Sequence, residues 1–148
     1  MVADAPAGHW TSLTVVAAIL FDRVVAPMIT QGPMNQVVFQ GYVDWLIVPI
    51  LEPGDTVIMN NLSSHKSNHA SDAIESTGAK LMYLPPYSPD LNPIEKMWSK
   101  VKAYLRQAEA RTVRTLTSAV GRALGEITPQ DCHGFFESVG VSVTLHQP

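Results

Sequence analysis

A proline-rich loop that leads directly into a helix start is the feature of this sequence that most constrains its fold. Residues 84–98 read Leu-Pro-Pro-Tyr-Ser-Pro-Asp-Leu-Asn-Pro-Ile-Glu-Lys-Met-Trp. Asn92 suits the N-cap of a helix and Pro93 suits its first position, which puts Glu95 at the third. A carboxylate there is also typical of a capping box, so the local pattern leaves Glu95 with either a capping or a chemical role.

Two short apolar runs lie close to polar residues in the same part of the chain. The first covers Thr56 to Met59 and ends at Asn60, and the second covers Lys80 to Leu84 and leads into the loop. Short apolar runs bounded by turn signals indicate buried strands. Between Asn60 and Glu95 lie 34 residues, so the pattern predicts a strand end and a helix start separated by a small helix and a second strand.

These features together resemble the DDE transposases of mariner-type bacterial insertion sequences. The resemblance is carried by the loop and helix start at 84–98, by the run Asn60-Asn61-Leu62-Ser63-Ser64-His65-Lys66, and by the gap between Asn60 and Glu95. It extends from about residue 8 to about residue 140. It implies an α/β, RNase H-like fold: a mixed sheet, made of a hairpin plus parallel strands, flanked by helices. We expect one domain over residues 1–148, with C-terminal helices from about residue 93.

The resemblance also implies which residues form the site and where this sequence departs from the family. Asn60 and Glu95 occupy the second and third catalytic and metal-ligand positions, and the family has aspartate at the position of Asn60. The family uses Mg²⁺ or Mn²⁺, and we expect weak or absent metal binding here because an amide carries no negative charge. The family's first aspartate lies on an earlier strand, upstream of the Gly8-His9-Trp10 segment. Because the chain starts only a few residues before that segment, we expect an N-terminal truncation that removes the first central strand and the first aspartate. No apolar run precedes Asp4, so we do not expect it to substitute for that aspartate.

The function that this resemblance implies is metal-dependent cleavage and transfer of DNA strands in transposition, with the activity lost in this chain. An alternative is a non-catalytic remnant that binds DNA or oligomerises, and a third interpretation is an unrelated α/β binding module. The expected partners are transposon-end DNA and either a second copy or an intact transposase, with no membrane association. The expected location is the bacterial cytoplasm, near the nucleoid.

Charge is distributed unevenly along the chain. Residues 1–95 carry nine acids and three bases, whereas residues 96–122 carry seven bases and one acid. A concentrated basic block in an otherwise acidic protein suggests contact with a phosphate backbone, although a solvated helix face gives the same pattern. The residues predicted to bind nucleic acid are Lys66, Lys96, Lys100, Lys102 and Arg106.

Periodicity and turn residues give the rest of the element order. Strands are predicted from Thr11 to Phe21 and from Val24 to Ile29 as a hairpin, with Pro27 marking an edge or a bulge. The predicted helices run from Asn35 to about Leu51, from Ser67 to Thr77, from Pro93 to about Ala110, from Val113 to Glu126, and from Thr128-Pro129 onward. His65 and His69 have the i, i+4 spacing of a metal pair, but no third ligand accompanies them. The single cysteine, Cys132, excludes an internal disulfide.

Overall fold

The computed structural model describes residues 2–4, 12–60, 68–85 and 89–140. The chain divides into two compact units, the first formed by residues 1–33 and 93–148 and the second by residues 34–92. The first unit is discontinuous in sequence, because its sheet comes from the N-terminal part and its helices from the C-terminal part.

The first unit contains an antiparallel sheet of three strands in the order β1-β2-β3. These strands are β1 (Val2–Asp4), β2 (Ser12–Ile19) and β3 (Val24–Gln31). The pairing of β1 with β2 places Val2 opposite Thr14 and Asp4 opposite Ser12. A short strand at the edge of the sheet therefore precedes the hairpin, and the sequence analysis did not predict it. A three-residue strand is too short to show alternation, and its backbone bonds to β2 define it instead.

The predicted hairpin of β2 and β3 is confirmed, and so is the irregularity at Pro27. The register shifts between Val16 and Ala18 on β2. On the facing strand, Ala26 has a φ of 53°, a conformation that residues other than glycine rarely adopt. Because proline has no N–H for the ladder, the bulge lies where Pro27 cannot pair.

Three helices complete the first unit: α3 (Pro93–Ala108), α4 (Val113–Gly125) and α5 (Pro129–Ser138). The apolar face predicted for α3 is confirmed, because Met97, Trp98 and Val101 are buried together with Val15 of β2 and Val120 of α4. Capping boxes at Thr112 and Thr128 begin α4 and α5. Each box satisfies two N–H groups that a helix start otherwise leaves unpaired.

The second unit contains a helical segment, two parallel strands and one further helix. The α-helix α1 (Gln36–Tyr42) continues as a π-helical turn (Val43–Ile47) and a 3-10 turn (Val48–Ile50). Strands β4 (Thr56–Met59) and β5 (Lys80–Tyr83) pair in parallel, with Thr56 opposite Lys80. Helix α2 (Asn68–Glu75) connects the strands, as predicted.

Gly78 ends the segment that contains α2, and the structure shows why no other residue suits it. Its φ is +87°, and a Cβ atom there would lie 3.0 Å from the Cβ of Pro53. Both the left-handed backbone and the lack of space therefore require glycine. A hairpin in the first unit and a parallel strand pair in the second confirm the predicted mixed α/β class.

Candidate active site and nucleic-acid interface

Asp4 is the last residue of β1, and the sequence analysis did not expect it to substitute for the family's first aspartate. Its position is fixed by the antiparallel register that sets it opposite Ser12. The short run Val2-Ala3-Asp4 ahead of β2 is a weak strand signal without this backbone pairing.

Asn60 directly follows β4, as predicted, and is half-buried. Its side-chain oxygen Oδ1 accepts a hydrogen bond of 2.8 Å from Nδ2 of Asn92. Asn92 is only 6% exposed, so its amide is removed from water and needs protein partners. The sequence predicted Asn92 as a helix cap. Its bond to a residue 32 positions earlier links the end of β4 to the residue before α3, and sequence reasoning missed this link.

Glu95 lies in the first turn of α3, as predicted, and is half-buried. Ser99 donates a hydrogen bond of 3.1 Å from Oγ to the backbone carbonyl of Glu95. The N-terminal turn of a helix favours a negatively charged side chain, because the helix dipole places partial positive charge there. The first turn of α3 thus carries the acidic side chain of Glu95 three residues after the buried Asn92.

The basic residues predicted on α3 are all exposed, but one of them is paired with an acid. Nζ of Lys100 lies 2.5 Å from Oδ2 of Asp131 at the start of α5. The Lys100 hydrogen bond, helped by the Thr128 N–H, holds the pKa of Asp131 below its ordinary value. Within the part of the chain that the structure describes, Lys96, Lys102 and Arg106 form no ion pair. Lys66 lies outside the described residues.

Helical geometry separates these cations into two groups. With 100° per residue, Glu95, Ser99, Lys102 and Arg106 fall on one face of α3, whereas Lys96 and Lys100 lie on the side that approaches α5. Lys102 and Arg106 are about 10 and 16 Å from Glu95 along the helix axis at 1.5 Å per residue. The face that carries Glu95 therefore also carries two positive charges.

His69, one member of the i, i+4 histidine pair, contacts an acidic side chain of the second unit. Nε2 of His69 lies 2.7 Å from Oδ2 of Asp44, and His65 lies outside the described residues. No group of three histidine, cysteine, aspartate or glutamate side chains in the described ranges could hold a metal ion. The contact with Asp44 instead connects α2 to the π-helical turn in the second unit.

A sequence comparison decides the family. The model of the DDE superfamily endonuclease family matches residues 2–117, which is more than half of the chain. The chain belongs to this family. The matched range contains Asp4, Asn60 and Glu95, and it ends within α4. No curated protein sequence matches the chain.

Solved structures show the same fold for this DDE superfamily chain. The catalytic domain of Mos1 mariner transposase matches with a TM-score of 0.73 at 12% identity, over 94% of this chain and 73% of that one. The Mos1 catalytic domain with raltegravir and Mg matches with a TM-score of 0.75 at 10% identity, over 94% and 75%. The Mos1 paired-end complex with the left transposon end matches with a TM-score of 0.68 at 14% identity, over 93% and 43%. The predicted RNase H-like transposase fold is confirmed.

The side chains present do not fit the complete metal set of a DDE endonuclease. Two magnesium ions held close together need several converging carboxylates, because magnesium prefers charged oxygen ligands. At position 60 this chain offers a neutral amide whose oxygen already accepts a hydrogen bond from Asn92.

Within the described residues, no helix is long and apolar enough to cross a membrane.

Proposed function

We propose that this DDE superfamily domain binds DNA without cutting it, and that Asn60 and Glu95 occupy its second and third catalytic positions. The observation that carries the proposal is the neutral Asn60 at the end of β4, hydrogen-bonded to Asn92. Glu95 lies in the first turn of α3, which is the place that the family pattern gives to the third carboxylate. The second position departs from the pattern, because it holds an amide.

The loss of one charge is sufficient to disable metal-dependent cleavage. Attraction between a carboxylate and a dication at contact distance amounts to several kcal/mol even at intermediate dielectric. Each loss of about 1.36 kcal/mol in transition-state stabilisation lowers a rate tenfold. In this family a bound metal pair would activate the attacking oxygen and stabilise the leaving one. Without the middle carboxylate we expect no measurable cleavage.

DNA binding does not depend on that carboxylate. Lys102 and Arg106 lie on the same face of α3 as Glu95 and are exposed. A DNA strand that approaches Glu95 would bring further phosphates toward these two side chains, and neutralising phosphates supplies most sequence-independent affinity. The Mos1 paired-end complex contains the left transposon end, and transposon-end DNA is the partner we propose for this chain. A homodimer, or pairing with an intact transposase in the bacterial cytoplasm, is proposed with it.

Replacement of the middle residue tests the proposal. The variant Asn60→Asp restores the carboxylate that the family has at the second position. The introduced carboxylate would have one oxygen for the Asn92 amide and one for a metal. We expect Mn²⁺ binding by calorimetry from this variant and none from the unchanged chain, and no metal-dependent nicking of supercoiled plasmid from the unchanged chain.

The matched control adds the same charge elsewhere in the second unit. Asn68 is exposed at the start of α2, so Asn68→Asp changes the net charge equally without affecting position 60. This control should neither bind Mn²⁺ nor nick plasmid. Nicking by the unchanged chain, or failure of the Asn60→Asp variant to bind Mn²⁺, would show that the two positions are assigned wrongly.

A further inference from the structure

Helix α4 has a buried face and an opposite face whose residues are exposed. Leu116, Ala119, Val120 and Ala123 are buried, and Val120 and Ala123 belong to the core cluster that includes residues of α3. The opposite face carries four residues at spacings of four, three and four, with Arg122 alongside. These exposed residues are Arg114, Ser118, Gly121, Gly125 and Arg122.

The charge within α4 itself has one sign only, and the acidic Glu126 follows as its C-cap. Helix α4 contains two arginines and no acidic residue, and the exposed Arg111 lies just before its N-cap. No carboxylate in the described part of the chain forms an ion pair with Arg111, Arg114 or Arg122. Lys100 on α3 differs, because Asp131 neutralises it. Arginine presents a planar fork of donors that fits a phosphate group in a bidentate manner.

Gly121 supplies an observation independent of charge. It is exposed in the interior of α4, where glycine is the least favourable residue after proline. A Cβ atom added there would meet no heavy atom within 4 Å, so packing inside the chain does not require glycine at this position. A surface without a side chain at this point allows an external backbone to come close to the helix. Ser118, one turn earlier, is small and can donate a hydrogen bond.

We propose that Arg114, Ser118, Gly121 and Arg122 form a second DNA-contact surface, here called the α4 face, which binds the sugar-phosphate backbone without reading sequence. Arg114 and Arg122 are about 12 Å apart along the helix axis, so they reach different phosphates. Gly121 lies between them on the side that the backbone approaches. The inference rests on the proposed DNA-binding function and adds a surface distinct from the Lys102 and Arg106 positions on α3.

The first test removes the charge of the α4 face. The double variant Arg114→Ala/Arg122→Ala is titrated with a fluorescently labelled duplex of mixed sequence at several salt concentrations. Because each neutralised phosphate contributes about 0.9 to the slope of log K against log salt, the slope should fall by about 1.8. The matched control, Arg23→Ala/Lys80→Ala, removes two exposed cations elsewhere and should leave the slope unchanged. Circular dichroism establishes that both variants are folded.

The second test separates close approach from charge. Gly121→Ala should raise the melting temperature, because alanine favours the helix, and should weaken duplex binding several-fold, because its methyl group blocks the backbone. Gly41→Ala in α1 is the control, since a Cβ atom there also meets nothing within 4 Å. That control should leave duplex affinity as it is.

The outcomes distinguish this inference from the proposed function. An unchanged slope in the α4 double variant, together with a reduced slope in Lys102→Ala/Arg106→Ala, would overturn the α4 face and leave the α3 surface standing. An equal loss of slope in the Arg23→Ala/Lys80→Ala control would mean that net charge alone accounts for the effect, and it would also overturn the α4 face. Unaltered affinity in Gly121→Ala would overturn the close approach. If the unchanged chain does not bind the duplex, both proposals are wrong.

Discussion

Nδ2 of Asn92 donates a hydrogen bond of 2.8 Å to Oδ1 of Asn60, and this contact joins the residue after β4 to the residue before α3. Because Asn60 is the acceptor, a carboxylate at position 60 keeps the bond, whereas a carboxylate at position 92 would face an oxygen. We therefore expect Asn92→Asp to lower the free energy of unfolding by about 1–3 kcal/mol, the usual cost of a buried group left without its partner.

The comparison that checks this expectation is Asn60→Asp, measured by urea unfolding at neutral pH. It should cost much less than Asn92→Asp, although both changes add one negative charge. Equal losses in the two variants would mean that the hydrogen bond has no defined direction. A smaller loss for Asn92→Asp would reverse the donor and acceptor.

The pairing of Lys100 with Asp131 makes the basic residues of α3 unequal. Lys102→Ala/Arg106→Ala should lower the slope of log K against log salt for duplex binding by about 1.8, since two phosphate contacts are lost. Lys100→Ala should change that slope much less, because Asp131 already neutralises the ammonium group at 2.5 Å. Fluorescence anisotropy at several salt concentrations provides the slopes. A full unit lost in Lys100→Ala would show that DNA displaces Asp131.

Two methionines at very different depths test the core of the first unit. Met97 on α3 is fully buried in the cluster with Val15 and Val120, whereas Met82 on β5 is 56% exposed. Met97→Ala should lower the free energy of unfolding by about 2–5 kcal/mol, because it removes buried apolar surface and leaves a cavity. Met82→Ala should change it by about 0.5 kcal/mol or less, as is usual for surface substitutions.

Urea denaturation of both methionine variants measures the difference, and the slope with denaturant shows whether unfolding stays two-state. Similar losses in the two variants would contradict the assignment of Met97 to the core.

The sequence predicted those elements whose signals are local. The apolar spacing of Met97, Trp98 and Val101 predicted the buried face of α3, and the glycine at 78 predicted the end of the α2 segment. Strand β1 had no such signal, because Val2, Ala3 and Asp4 are too few to show a period. The strand is defined by its backbone pairing with β2, which begins at Ser12, and local sequence patterns do not reveal such pairing.

The contacts that define the candidate site are also long-range. Asn60 and Asn92 are 32 positions apart, and Lys100 and Asp131 are 31 apart. Motif spacing identified Asn60 and Glu95 as the residues of interest, but it gave no indication that Asn92 would donate to Asn60. Composition likewise identified a basic block without showing which of its members an acid neutralises.

Asp131 should make stability depend on pH in a predictable direction. Its pKa in the folded chain lies below the ordinary value, first because Lys100 donates a hydrogen bond to it and then because the Thr128 N–H does so. A carboxyl group with a depressed folded pKa stabilises the fold above its unfolded pKa of about 3.9, and that contribution is lost as the pH falls through the folded pKa. Asp131→Asn should therefore be destabilising at neutral pH.

The same variant should approach the unchanged chain in stability as the pH falls below about 3.9. Urea unfolding at a series of pH values measures the difference. Lys100→Ala is the matched comparison, since it removes the largest cause of the shift while leaving the Thr128 capping box, and it should show a smaller difference over the same pH range. If the Asp131→Asn difference grew rather than shrank on acidification, the carboxylate would not be the form that the fold stabilises.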